Sequence, residues 1–252
     1  MRDSDFAGEA IVLGCVDYGD ADRVVTLLTR ERGRLGAFAA GARKSKRRFA
    51  GALEPFTVLR AELAERRGGD LLFLSGCTVV EAHAGLRADL ARIAHAGHAA
   101  ELCRELCRDR EPHEELYDAL RAYLGLLAGR EADPAALLGF ELAALEHVGL
   151  APRVDACAVC GGAEGGFPLF DAPHGGVLCA RCSGMAFPGA VRADPQALAA
   201  MAALQGAAPF GLGVADARVR AQVRLLVRRF THQVLGRSPR SLEFLAQVGI
   251  EG

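Results

Sequence analysis

The feature that most constrains this chain is a pair of pairs: Cys157-x2-Cys160, then eighteen residues, then Cys179-x2-Cys182. Each CxxC can present two thiolates from one tight turn, and two such turns close a tetrahedron of sulfur. A four-sulfur set suits one Zn²⁺ ion and leaves no open position for water or substrate, which marks the site as structural. The stretch between the pairs is rich in Gly and Pro, with Gly161-Gly162, Gly165-Gly166 and Gly175-Gly176. Such a stretch cannot build a core of its own, so metal must supply its folding energy. The competing readings are four unligated buried cysteines and an iron–sulfur cluster. His174 lies in the same loop and is read as a bystander, because four sulfurs already complete the set.

The compartment follows from the same cysteines. Eight are present and four fall in the two pairs, while Met1-Arg2-Asp3-Ser4-Asp5 is acidic and polar and does not resemble an export signal. A reducing cytoplasm with a metal site fits this better than a secreted disulfide framework. No run approaches the ~18 apolar residues of a membrane span. Cys103 and Cys107, one helical turn apart, and Cys15 and Cys77, in strand-like runs, are read as packing residues. His95 and His98 lack a third ligand nearby in sequence.

Half of the 252 residues are hydrophobic, enough to bury a real core. Residues 9–82 read as five short strands: 10–16, 23–29, 35–40, 56–63 and 70–74, punctuated by Gly and Asp turns. Five strands in so short a span suit a small barrel of the OB type, although periodicity alone leaves an SH3-like barrel open. After Val80, Ala and Leu recur at helical spacing through 83–108, 114–128 and 134–148. Asp133-Pro134 and Asp194-Pro195 are helix starts, and a long helix is predicted from about Ala215 to Leu235, ended by Gly236. The expected fold is α+β: an N-terminal five-stranded OB-type β-barrel over 1–80, then an all-α helical domain over 81–252 with an inserted four-cysteine zinc module at about 153–188.

The net charge of −1 hides two basic fields. Arg30 to Arg48 carries eight basic residues and one acid, and Arg218 to Arg240 carries seven Arg and no acid. Arg43-Lys44-Ser45-Lys46-Arg47-Arg48 puts five cations in six residues at a strand–strand connection. Those cations repel one another unless an anion lies nearby, and a phosphate backbone supplies one. Phe49 and Tyr18 are candidate base-stacking rings, each with core or turn packing as its competing reading. On the long helix, Val219, Val223, Leu226, Phe230 and Val234 form the expected buried stripe, and Arg220, Arg224 and Arg228 follow at four-residue spacing beside it. Such a row can grip phosphate or an acidic peptide, or be a solvated face.

Asp17-Tyr18-Gly19-Asp20-Ala21-Asp22-Arg23, Leu27-Leu28-Thr29, Gly33-Arg34, Gly41-Ala42-Arg43-Lys44 and Leu53-Glu54-Pro55-Phe56 follow in order. With Gly236-Arg237 and Ser241-Leu242-Glu243-Phe244-Leu245 near the end, they resemble the RecO family of recombination mediators over nearly the whole chain. The resemblance implies an OB barrel, a helical bundle and a zinc module. It implies binding of single- and double-stranded DNA, annealing of complementary strands, docking on the acidic tail of single-strand-binding protein (SSB), and assembly with RecR, sometimes RecF, to load RecA in gap repair. Some members lack the cysteines. Arg34 joins Arg43, Lys44, Lys46, Arg47 and Arg48 as the expected nucleic-acid contacts. The tail needs a cation for its carboxylate and an apolar hollow for its aromatic ring. Arg220, Arg224 and Arg228, beside Val223, Leu226 and Val227, are the expected docking edge.

Two other functions compete with a non-enzymatic mediator. A zinc nucleobase deaminase needs an open zinc, H-x-E and PCxxC; no Pro directly precedes either CxxC here, and neither His147 nor His174 has the required partner. A zinc-ribbon structural or regulatory protein without direct DNA function remains the alternative.

Overall fold

A computed structural model describes residues 6–45, 47–65, 69–185, 187–205, 210, 214 and 216–248. Lys46, one of the expected DNA contacts, lies outside the described residues, as does Ala215 at the predicted start of the long helix. The chain divides into two compact units, Met1–Arg130 and Glu131–Gly252.

In the first unit five strands close a barrel: β1 (Phe6–Tyr18), β2 (Asp22–Thr29), β3 (Gly33–Ala39), β4 (Val58–Ala64) and β5 (Leu72–Glu81), in the order β1-β2-β3-β5-β4 with β4 paired back onto β1. The β3–β5 pair is parallel and the other pairs are antiparallel. This closed five-stranded order is that of the OB type and not of an SH3-like barrel. Alternate residues fill the interior, among them Val25, Leu27, Leu35, Ala37, Leu59, Ala61, Leu72 and Leu74. β5 runs on to Glu81, past the predicted strand end at Leu74, because β4 keeps pairing with it through Gly76 and Cys77 across a register shift. β1 bends where its register with β2 shifts between Val12 and Gly14.

Two helices complete this unit, α1 (Leu90–Leu106) and α2 (Glu114–Gly129). α1 begins later than predicted, because Ala84–Ala88 form a 3₁₀ turn and Asp89 caps the helix by accepting the Arg92 amide at 3.0 Å. Ion pairs tie the barrel to the helical part: Arg121 to Glu9 at 2.7 Å and to Glu81, Arg30 to Glu114 at 2.7 Å, and Arg34 to Asp109 at 2.8 Å. Gly33 sits at φ +64°, where a Cβ would lie 1.8 Å from the Glu111 carbonyl oxygen, so this close approach requires glycine.

The second unit is built on α3 (Pro134–His147), α4 (Pro195–Gln205), α5 (Ala217–Leu235) and α6 (Ser241–Gln247). Between α3 and α4 lies a small sheet of β6 (Leu169–Asp171), β7 (Gly176–Leu178) and β8 (Val191–Arg192), in the order β7-β6-β8. Its third strand extends beyond the predicted end of the zinc module. Phe170 of β6 packs edge-on against Phe230 of α5 at 6.3 Å. The buried face of α5 is Val219, Val223, Leu226, Val227, Phe230 and Thr231; Val234, predicted in the stripe, is only half-buried. Among the described residues no helix is long and apolar enough to cross a membrane.

Candidate metal centre and nucleic-acid interface

The four paired cysteines converge. The sulfurs of Cys157, Cys160, Cys179 and Cys182 all lie within 4.8 Å of one another, with Cys160 and Cys179 3.7 Å apart. Two small turns present them. In the first, the Cys157 amide donates to the Gly162 carbonyl at 2.9 Å and Gly161 returns a bond to the Cys157 carbonyl at 2.8 Å, with Gly161 at φ +72°. In the second, the Ser183 amide donates to the Cys179 carbonyl at 2.9 Å and the Met185 amide to the Cys182 carbonyl at 3.0 Å. Cys157, Cys179 and Cys182 are buried beside Leu178, with Phe167, Leu169, Phe187 and Ala190 packed around them; Cys160 faces outward.

The electrostatics of the cluster ask for a cation. Burial pushes the Cys157 thiol up, but the backbone amides of Cys179, Cys160 and Val159 outweigh it and bring the group down to about 6. The Gly162 amide, and then the Arg181 guanidinium, also lower Cys160. Cys182, hydrogen-bonded to Cys160 and then penalised by burial, is pushed up to about 12. Some of these sulfurs are readily ionised, yet they are too close for all four to carry charge without a positive ion among them. Four sulfurs in this arrangement can hold a metal ion, and the donor set is the one zinc prefers. His174 stands outside the set: its Nδ1 bonds Asp171 and its ring meets Phe187 edge-on at 5.0 Å.

The basic connection between β3 and β4 plugs one end of the barrel. Its apolar residues Ala42, Phe49 and Leu53 join the barrel core, while Arg43, Lys44, Arg47 and Arg48 are exposed. Phe49 is only 3% exposed, so it is a core residue and offers no face to a base. The start of the connection is clamped to the β1–β2 turn. Asp22 accepts the Gly41 amide at 2.7 Å, the Arg43 amide donates to the Ala21 carbonyl at 2.9 Å, and the Arg43 guanidinium donates to the Gly19 carbonyl at 3.1 Å and pairs with Asp17 at 3.3 Å.

The cations therefore differ in their freedom. Arg43 is largely committed to the clamp, and Arg48 donates to the Ala40 carbonyl at 2.9 Å while lying over the Phe49 ring. No hydrogen bond or ion pair holds the side chains of Lys44 and Arg47 among the described residues. Arg34 stands apart from this face: it pairs with Asp109 and donates to the Arg104 carbonyl, which makes it a tie inside the unit.

On α5, Arg220, Arg224 and Arg228 line one narrow hollow with Pro134, Leu137, Leu138 and Glu141 of α3 and Leu242 and Leu245 of α6. The sequence placed the cations but not the walls. Val223, Leu226 and Val227, expected to line the hollow, are fully buried in the helical body. The apolar wall comes instead from α3 and α6, and an acid, Glu141, shares it. The open volume of about 20 Å³ admits a water-sized group but no aromatic ring without side-chain movement.

Family models cover most of the chain. The model described as the N-terminal part of recombination protein O matches residues 1–83, and the one for its C-terminal part matches residues 87–243. The DNA repair protein RecO of Myxococcus xanthus (strain DK1622) is 50% identical over 243 residues, covering 96% of this chain and 98% of that protein. The DNA repair protein RecO of Anaeromyxobacter sp. (strain Fw109-5) is 52% identical over 242 residues, 95% of this chain and 94% of that protein. A more distant relative of the same name, from Pelotomaculum thermopropionicum, is 36% identical over 246 residues, 97% of this chain and 94% of its own length. With both family models matched and identity held from end to end, the chain belongs to the RecO family of DNA repair proteins.

Proposed function

We propose that this chain is a non-enzymatic recombination mediator that binds single- and double-stranded DNA, anneals complementary strands, and works with RecR, and in some settings RecF, to load RecA on SSB-coated strands in the cytoplasm. The observation that carries the reading is the exposed cationic connection seated on an OB-type barrel and clamped to the β1–β2 turn. Lys44, Arg47 and Arg48 are the phosphate contacts in this reading. They position a strand and do not read its sequence. Zn²⁺ is the proposed occupant of the four-cysteine cluster, where it holds the module's fold; four protein sulfurs leave no place for a reacting water. The hollow on α5 is the proposed seat of the SSB tail, with Arg224 facing its carboxylate and Leu242 beside its ring.

The test is a titration of labelled single strands over a range of salt, with wild type and a Lys44→Ala/Arg47→Ala/Arg48→Ala variant. The expected result is weaker binding for every sequence alike and a shallower salt dependence. A variant that binds and anneals like wild type would reduce the connection to a solvated face.

A further inference from the structure

Side chains alternate across a barrel wall, so every strand that buries a core residue turns its neighbour outward. On β3 and β5, Ala37, Ala39, Leu72 and Leu74 point in, and Phe38 and Phe73 point out. Phe38 pairs with Phe73 across the parallel β3–β5 ladder, with Val24 across β3–β2, and Val24 pairs in turn with Val16. Phe73, Phe38, Val24 and Val16 therefore form one cross-strand row on the outside of the barrel. The row becomes more open toward β1: Phe73, Phe38 and Val24 are half-buried, whereas Val16 is 70% exposed. Tyr18, two residues further along the same face of β1, is 61% exposed and rests its ring edge-on against Phe38 at 5.8 Å and 82°.

This apolar row ends at the clamped turn. Tyr18 immediately precedes Gly19, whose carbonyl accepts Arg43, and follows Asp17, which pairs with both Arg23 and Arg43. The clamp therefore keeps an open aromatic ring next to the cationic connection that carries Lys44 and Arg47. A flat ring braced from behind, at the edge of a field of cations, matches the chemistry of an unpaired nucleotide: a π-face to stack and a phosphate to pair.

The geometry points to Tyr18, braced by Phe38, as a base-stacking platform through which the barrel grips single-stranded DNA and distinguishes it from duplex, whose bases are already stacked on one another. The inference rests on the DNA-binding reading above and adds to it the ring that senses an unpaired base. Phe49, the ring that the sequence places nearest the cations, is excluded by its burial.

The molecule carries its own reporter for this contact. It has no Trp and three Tyr. Tyr117 and Tyr123 are 1% and 0% exposed, so among the tyrosines only Tyr18 is open to a ligand. Full-length protein titrated with oligothymidylate should lose tyrosine emission as a base stacks on Tyr18, and a duplex of equal length should quench far less. Tyr18→Ala should weaken binding of single strands roughly five- to a hundred-fold. It should leave duplex affinity and the salt slope unchanged, because no cation is lost. Tyr18→Phe should restore the affinity, because it keeps the ring. Lys44→Ala/Arg47→Ala should do the reverse: a shallower salt slope, with quenching intact at saturation.

Saturating single strands that leave the emission unchanged would overturn the platform while DNA binding itself stands. So would a Tyr18→Ala protein that binds them like wild type. A Tyr18→Ala protein that loses a protein partner while binding single strands normally would assign the face to protein docking instead. Wild type that binds no DNA at all would overturn the underlying reading together with this one.

Discussion

The carboxylate of Asp22 accepts the backbone amide of Gly41 at 2.7 Å, joining the β1–β2 turn to the start of the basic connection. The bond gives the run Asp17 to Arg23 a purpose beyond turning the chain. Its acids hold the root of a segment whose own charges would drive it apart. Asp17 neutralises part of Arg43, Asp22 fixes the backbone before it, and the cations further along remain available for a ligand.

Breaking that bond should therefore loosen the cations without removing one. Asp22→Ala is expected to destabilise the protein by about 1–2 kcal/mol, the cost of a hydrogen bond to a half-buried charged group. DNA affinity should fall while the salt slope stays near that of wild type. Asp22→Asn keeps an acceptor oxygen and should lose less of both. Urea melts and salt-dependent titrations of the two variants check this; equal stability of Asp22→Ala and wild type would remove the clamp from the account.

The connection itself should behave additively. Each of Lys44, Arg47 and Arg48 that touches phosphate should, when changed to Ala, lower the slope of log affinity against log salt by roughly 0.7 on single strands. Lys44 and Arg47, held by no side-chain bond among the described residues, are expected to show the full effect. Arg48, bonded to Ala40 and lying over Phe49, should show less and should cost some stability. Singly substituted proteins titrated at several salt concentrations separate the three.

How much of this was legible in the sequence depended on how local each signal was. The four-cysteine cluster was readable because two CxxC turns carry their sulfurs within a few residues, and the structure needed only to bring two turns together. The strand count was readable from β-rich runs. The reach of β5 was not, because Ser75-Gly76 has the composition of a turn, and only pairing with β4 keeps it extended. Phe49 follows a run of cations, so the sequence leaves stacking and core packing both open; the connection folds back and buries the ring in the barrel. The walls of the α5 hollow were invisible because α3 and α6 are far apart in sequence. Helical periodicity placed Val227 beside the row without showing that the body covers it.

Zinc should account for the fold of the module between α3 and α4. Purified protein is expected to hold one Zn²⁺ per chain through Cys157, Cys160, Cys179 and Cys182, as elemental analysis would count. A chelator should unfold the module while the barrel's β signal survives, because the barrel has its own core. The proton count gives a second check. Without zinc the module is unfolded and its four thiols return to the ordinary cysteine pKa of about 8.5, so zinc uptake at neutral pH should release about four protons and the affinity should fall as pH drops. Calorimetry in two buffers of different ionisation enthalpy reads the number directly.

The hollow on α5 provides the last test, because charge and shape there can be separated. Arg220, Arg224 and Arg228 line one side, Leu137, Leu138, Leu242 and Leu245 the other, and Glu141 sits among them. An acidic peptide ending in a carboxylate beside an aromatic ring would meet Arg224 with its charge and Leu242 with its ring. Because the hollow is narrower than a ring, docking requires α6 to yield, and Leu242, the less buried of the two α6 leucines, is where it can. Losing a charge-assisted contact costs about 1.5–3 kcal/mol, or roughly ten- to a hundred-fold in affinity. Arg224→Glu should therefore weaken binding of an SSB-tail peptide by that factor while annealing of bare complementary strands continues. Leu242→Ala, which widens the entrance, should weaken the peptide less than Arg224→Glu and leave the salt dependence of peptide binding intact. If annealing falls together with peptide binding in Arg224→Glu, the α5 row belongs to the DNA surface. If neither changes, the tail docks elsewhere, because the row's central cation can be reversed without effect.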